Sequence, residues 1–161
     1  MTKLLLSLHV LVAIVTVGAI TVAASMFPRF ALQAAGADGG EKAGSTGVAS
    51  VLHRVCSGYA VAGVAVPVLG IATGAQLGVL TDAWLIASLI LTLAAAALLG
   101  LAVLPAQRRL LDLASDPTVR ADHALARSTA RRVTMLTGIF NLLWAIVVVL
   151  MIVRPGSTTG A

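Results

Sequence analysis

The residues of this chain with chemistry to offer are three histidines, one cysteine and a set of arginines. The tightest grouping lies in SVLHRVCSG, which puts Ser50, His53, Arg54 and Cys56 within seven residues. A single cysteine excludes an internal disulfide framework and a multi-thiolate metal site. Cys56 therefore reads as a small packing residue. His9 stands apart, about a turn and a half inside a long apolar run. A histidine within a membrane span is rare and raises a functional hypothesis. Imidazole suits both copper and haem iron.

The pairing needed for haem fails on position. His9 and His53 fall near opposite ends of their apolar runs, so their depths differ by roughly 25 Å at the helical rise. His123 lies in an arginine-rich segment, equally far from His9. Met26, Met135 and Met151 complete no ligand set. No Ser/His/Asp arrangement, phosphate loop or paired carboxylates appear. The expectation is a chain that is not an enzyme, with no resident cofactor and no metal site. His9, Ser50, His53 and Arg54 are the candidate contacts for a small ligand.

Composition says what must position these residues. Of 161 residues, 59% are hydrophobic and only 11% charged, with a mean hydropathy of +1.02. Soluble domains carry about a quarter charged residues, so the solvent here is lipid. A pI near 10.7 raises the possibility of nucleic acid. The positive residues lie between apolar runs rather than over a wet surface, which excludes that partner and marks them as topology signals. Arginine in place of lysine, with abundant Ala, Val, Leu and Gly, is the usage of a high-GC, actinobacterial-like genome.

Four apolar runs reach the roughly 20 residues that cross a bilayer: about 4–27, 57–80, 83–104 and 133–153. The first outlasts a secretory signal core of about 7–15 residues and reads as a retained helix. The expected fold is all-α, a four-transmembrane-helix bundle. The connections 28–53 and 105–132, with Arg54 directly after the first, hold nine of the eleven Lys and Arg residues. Their side should be cytoplasmic, placing both termini outside a bacterial inner membrane.

The connection between runs one and two contains QAAGADGGEKAGSTGVAS, too poor in apolar residues to order itself. A flexible loop is expected over 33–49, with MFPRFALQ along the interface before it. The later connection, LPAQRRLLDLASDPTVRADHALARSTARRV, is rich in helix formers around one break. Ser115 or Asp116 can cap a helix and Pro117 suits its first position. Helices 3 and 4 should thus continue into the cytoplasm as a helical hairpin turning near 114–117. The fourth helix would then run about 55 Å at the helical rise.

Gly70, Gly74 and Gly78 recur every four residues, a spacing that lets helix backbones approach in lipid. They serve either packing within this bundle or docking of another protein's helix. Pro67, one turn earlier, is a natural kink, and a kink can open a small pocket. Asn141 lies deep in the fourth run and should be satisfied across helices. No acidic residue falls inside any run, which argues against proton-coupled transport. Arg108, Arg109, Arg127, Arg131 and Arg132 can contact anionic lipid head groups or an acidic partner.

LLSLHVLVAIVTVG resembles the opening of a group of bacterial small four-helix integral membrane proteins of unknown function, loosely similar to copper-resistance D-type membrane domains. VLPAQRRL and GIFNLLWAIVVVLMIVRPG resemble the ends of that group's third and fourth helices. The resemblance implies a four-helix membrane domain. Its metal-linked histidine corresponds to His9, but the chain has Thr16, Val17 and Gly18 where many members carry an aromatic residue and a double glycine. Ser50, His53, Arg54, Ser57 and Gly58 follow the order seen in succinate dehydrogenase anchor subunits. There Ser50 and Arg54, four apart on one helical face, would meet a quinone carbonyl.

Two functional expectations follow. One is a non-catalytic accessory subunit packing against other integral membrane subunits, possible host complexes including a respiratory oxidase. The other is a small membrane carrier or binder of copper, haem or quinone.

Overall fold

The computed structural model describes residues 2–37, 44–115 and 122–156. Within them the chain is all-α. Helix α1 spans Thr2–Ala34, α2 Ser45–Ala62, α3 Ala65–Leu77, α4 Ala83–Leu98, α5 Leu104–Ser115 and α6 His123–Val153. A π-helical turn, Leu99–Val103, joins α4 to α5. Taken together they give four segments long and apolar enough to cross a membrane: Lys3–Ala34, Ser45–Leu77, Ala83–Ser115 and His123–Val153.

All four are longer than hydropathy indicated, and packing explains the extension of the first two. Helix α1 runs through Pro28 instead of ending at Phe27. MFPRFALQ is therefore continuous helix rather than a surface-lying segment. Phe27, Ala31, Ala34 and Ala35 are all buried in one core with Ala49, Ala106, Leu110, Ala114, Ala126, Ala130 and Val133. Those contacts offset the backbone hydrogen bond that Pro28 cannot make. Helix α2 begins at Ser45, so residues 45–49 and 33–34 are helical and only 35–44 connect the two helices. The expected loop 33–49 is shorter at both ends for the same reason, since Ala34 and Ala49 are fully buried.

The second span breaks at Gly63–Val64, one turn before Pro67. A proline at that position cannot donate to the Gly63 carbonyl, which accepts instead from Val66 at 3.0 Å. Pro105 produces the π turn by similar means. It lacks the N–H that would continue the α register, and Leu104 N–H bonds back five residues to Leu99 O. Such wide turns relieve the clash between a proline ring and the preceding turn.

The cap of α6 is Asp122, whose Oδ1 accepts from Leu125 N–H at 2.9 Å. The described helix thus begins at His123 and not at 117. Asp116 and Pro117 lie outside the described residues, as does most of the expected turn. The polar turns 104–115 and 123–132 do continue directly from apolar spans.

The two halves of the bundle pack differently. Around the C-terminal half of α1, the helices α2, α5 and the start of α6 close on the alanine-rich core. Small side chains let four backbones approach, which in lipid replaces hydrophobic driving force with van der Waals contact. In the other half, α1 touches α3, and α6 touches α4, but α3 and α4 meet only near their connecting turn. The bundle splays there.

Candidate functional site

The splayed half holds a partly open cavity of about 770 Å³ between α1, α3, α4 and α6. Its walls are almost wholly apolar, with Val66, Leu85, Leu89, Trp144 and Val147 among the lining residues. Three polar residues interrupt them, His9, Thr92 of α4 and Arg154, and Pro67 and Gly70 line the wall beside them. Pro67 and Gly70 come from α3, just past the break at 63–64. His9 comes from α1 and Arg154 from the end of α6.

His9 packs against α3 through Gly70. A β-carbon on Gly70 would sit 3.1 Å from His9 Cε1, so only glycine leaves the imidazole its present place. His9 Nδ1 is buried and meets no partner in hydrogen-bond geometry among the described residues, although the Val66 backbone lies close to the ring. A buried polar atom without a partner costs about 1–3 kcal/mol, which makes this nitrogen a point at which a ligand group gains more than elsewhere on the wall.

Arg154 closes the rim. Its guanidinium carbon lies 5.5 Å from the Trp84 ring centroid, and Trp84 Nε1 donates to Asp82 Oδ2 at 3.0 Å. Arg154 itself sits at φ 45°, ending α6 in the left-handed conformation that terminates helices.

The second polar constellation lies in the closed half. His53 turns inward from α2 and is half-buried beside Phe27, with ring centroids 6.4 Å apart. Its Nδ1 is 2.9 Å from Gln107 Oε1 on α5, and Arg108 Nε donates to its Nε2 at 3.4 Å. Because an arginine N–H only donates, Nε2 accepts and the imidazole proton sits on Nδ1. Gln107 Nε2 then donates to Cys56 Sγ at 3.7 Å. The result is a one-way hydrogen-bond chain from Arg108 through His53 and Gln107 to Cys56.

Gln107 was not among the residues singled out by type, because it sits in a string of polar residues. Its signal was positional: it shares a helical face with Val103, Leu110 and Ala114, all buried. Gln107 is fully buried with them.

The other candidates are dispersed. Ser50 is half-buried and Arg54 exposed on α2, and neither joins the His53 chain. The stretch 50–58 lies within α2, starting five residues after its beginning, rather than at the head of a helix. His9 and His53 belong to separate halves. Among the described residues no three His, Cys, Asp or Glu side chains cluster as a metal set.

The glycine series divides three ways. Gly70 receives His9, Gly74 lies under Leu85 and Leu80, and Gly78 caps α3 at φ 70°. Two of the three thus face neighbours of the same chain. Asn141 Oδ1 accepts from Thr21 Oγ1 at 3.1 Å, tying α6 to α1.

The fold and its cavity define a class, a multi-pass membrane protein of four apolar helices with an opening between them at one end. No family model, curated protein or solved structure matches this chain.

Proposed function

We propose that this chain is a non-catalytic inner-membrane binder of an apolar molecule with a hydrogen-bonding head, of which a quinone is the best-fitting class. The observation that carries this reading is His9, which lines a large apolar cavity and whose buried Nδ1 has no partner among the described residues. Ligand cavities typically hold about 300–1,000 Å³ and present mainly apolar walls with a few placed polar groups. A quinone ring offers a carbonyl acceptor to His9 and an apolar body to Leu85, Leu89 and Trp144. Copper fits less well, because among the described residues no group of three His, Cys, Asp or Glu side chains that could hold a metal includes His9. Haem fits less well, because no second histidine lines the cavity.

Titration with menadione or a short-chain ubiquinone tests this in detergent-purified protein. Trp144 lines the cavity, so saturable quenching of its fluorescence is expected. Trp144→Phe should remove most of the quenching, and His9→Ala should weaken binding by about tenfold, the value of one hydrogen bond to a buried group. Unsaturable quenching that is unchanged in both variants refutes the reading. Stoichiometric co-purifying membrane subunits, with no quinone response, would establish the accessory-subunit alternative instead.

The orientation proposed for the chain places Arg29, Arg54, Arg108, Arg109, Arg127, Arg131 and Arg132 on the cytoplasmic side and both termini outside. The cavity then opens toward the outer half of the membrane. Thr81 and Ser115 are exposed at opposite ends of the bundle, while Cys56 is fully buried. In intact cells, an impermeant maleimide should label Thr81→Cys and spare Ser115→Cys. The reverse pattern overturns the orientation.

A further inference from the structure

A second opening lies in the other half of the molecule, between the C-terminal half of α1 and the start of α6. It measures about 660 Å³ and is lined by Arg29, Arg127 and Arg131, with Ser25 and Thr134 beside them and Pro28, Leu32 and Met135 as its apolar floor. Among the described residues no carboxylate pairs with any of the three arginines. Arg127 is held by one bond, from Nη2 to the carbonyl of Ala37 just past α1, at the negative end of that helix. Its remaining N–H groups are left for another acceptor. Three guanidinium groups around one opening, none paired with a carboxylate among the described residues, repel each other, and a shared anion removes that cost.

Below the arginines, both helices present apolar side chains on the same faces. On α6 the series Arg127, Arg131, Met135, Ile139, Leu142, Ile146, Val149 advances by three or four residues per step, and from Met135 onward every member is exposed. On α1 the matching series Arg29, Met26, Val22, Val15, Leu11 is likewise exposed from Met26 on. A charged groove thus opens onto two adjoining apolar stripes of membrane-spanning length. A free anion uses only the first feature.

We propose that this groove is a binding site for an anionic phospholipid. Arg29, Arg127 and Arg131 take the phosphate, with the forked donor geometry that suits it, and the acyl chains lie along the exposed faces of α1 and α6. This assigns the lipid contact to three residues drawn from two helices, and separates them from Arg108, Arg109 and Arg132, which do not line the groove. Arg108 is committed to His53.

Native mass spectrometry of delipidated protein tests the site, with phosphatidylglycerol and phosphatidylcholine of matched chains added in equal amounts. The wild type should retain phosphatidylglycerol preferentially. The variant R29Q/R127Q/R131Q should lose that preference by about a hundredfold, as three arginine contributions at an anionic lipid surface require. R54Q/R109Q/R132Q removes the same charge from exposed positions outside the groove and should retain the preference. Arg29 is exposed, so Arg29→Gln alone keeps the fold and should lower the preference by about fivefold. Equal loss in both triple variants would mean a diffuse field and overturns the site, as does undiminished preference in R29Q/R127Q/R131Q and in Arg29→Gln. Displacement of the lipid by an equal concentration of inorganic phosphate would also overturn it, by making the ligand a free anion.

Discussion

Gln107→Met should destabilise the protein by about 1–2 kcal/mol although it keeps the volume of the side chain. Gln107 is fully buried and supplies both an acceptor to His53 Nδ1 and a donor to Cys56 Sγ. Methionine leaves the imidazole N–H without its acceptor in a low-dielectric setting, where the orphaned group sets the cost. Interhelical side-chain bonds in membranes average about 0.6 kcal/mol with a maximum near 1.7, so the effect should fall at the upper end of that range. The measurement is reversible unfolding in mixed micelles, followed by far-ultraviolet circular dichroism. His53→Leu combined with Gln107→Met removes both partners and should cost little more than either change alone. Strict additivity in that double-mutant cycle would show that the two side chains are not coupled.

The larger loss is expected for Phe27→Ala. Phe27 is fully buried among alanines of four helices and touches the His53 ring. Truncation leaves a void that small, rigid neighbours cannot fill, and such changes cost about 3–5 kcal/mol in soluble cores. Lipid is as apolar as the core, so the transfer contribution shrinks and the lost contacts remain. A value near 3 kcal/mol is the expected outcome in the same unfolding assay. Phe27→Leu should cost less than half as much. A loss below about 1 kcal/mol for the alanine variant would mean that the closed half is not tightly packed.

These two predictions concern the half of the molecule that hydropathy describes least well. Both helices meeting at Phe27 extend past their apolar runs, α1 through Pro28 and α2 from Ser45. A hydropathy window sees an alanine, glycine and glutamine segment as weakly apolar. It cannot see that Ala34, Ala35 and Ala49 are small enough for helices to close on one another. The proline positions were informative in a different way. Pro67 marked the broken span correctly, but the break itself falls at Gly63–Val64, where the missing donor leaves its carbonyl.

Composition and run length by themselves determined that this is an all-α protein with four apolar helices, because about 20 apolar residues with almost no charge have one stable way to satisfy their backbone in lipid. The spacing of Asn141 within its run also sufficed to predict a partner across helices, and Thr21 provides it. Tertiary structure alone decided which polar residues meet. Ser50 and Arg54 share a helix face but no site, while His53 finds Gln107 and Arg108 more than fifty residues away. His9 gained its meaning only when Gly70 was placed against it and the broken span opened a cavity beside it. The physical reason is that periodicity fixes which face a residue occupies, whereas the tilt of one helix against the next fixes what that face encounters.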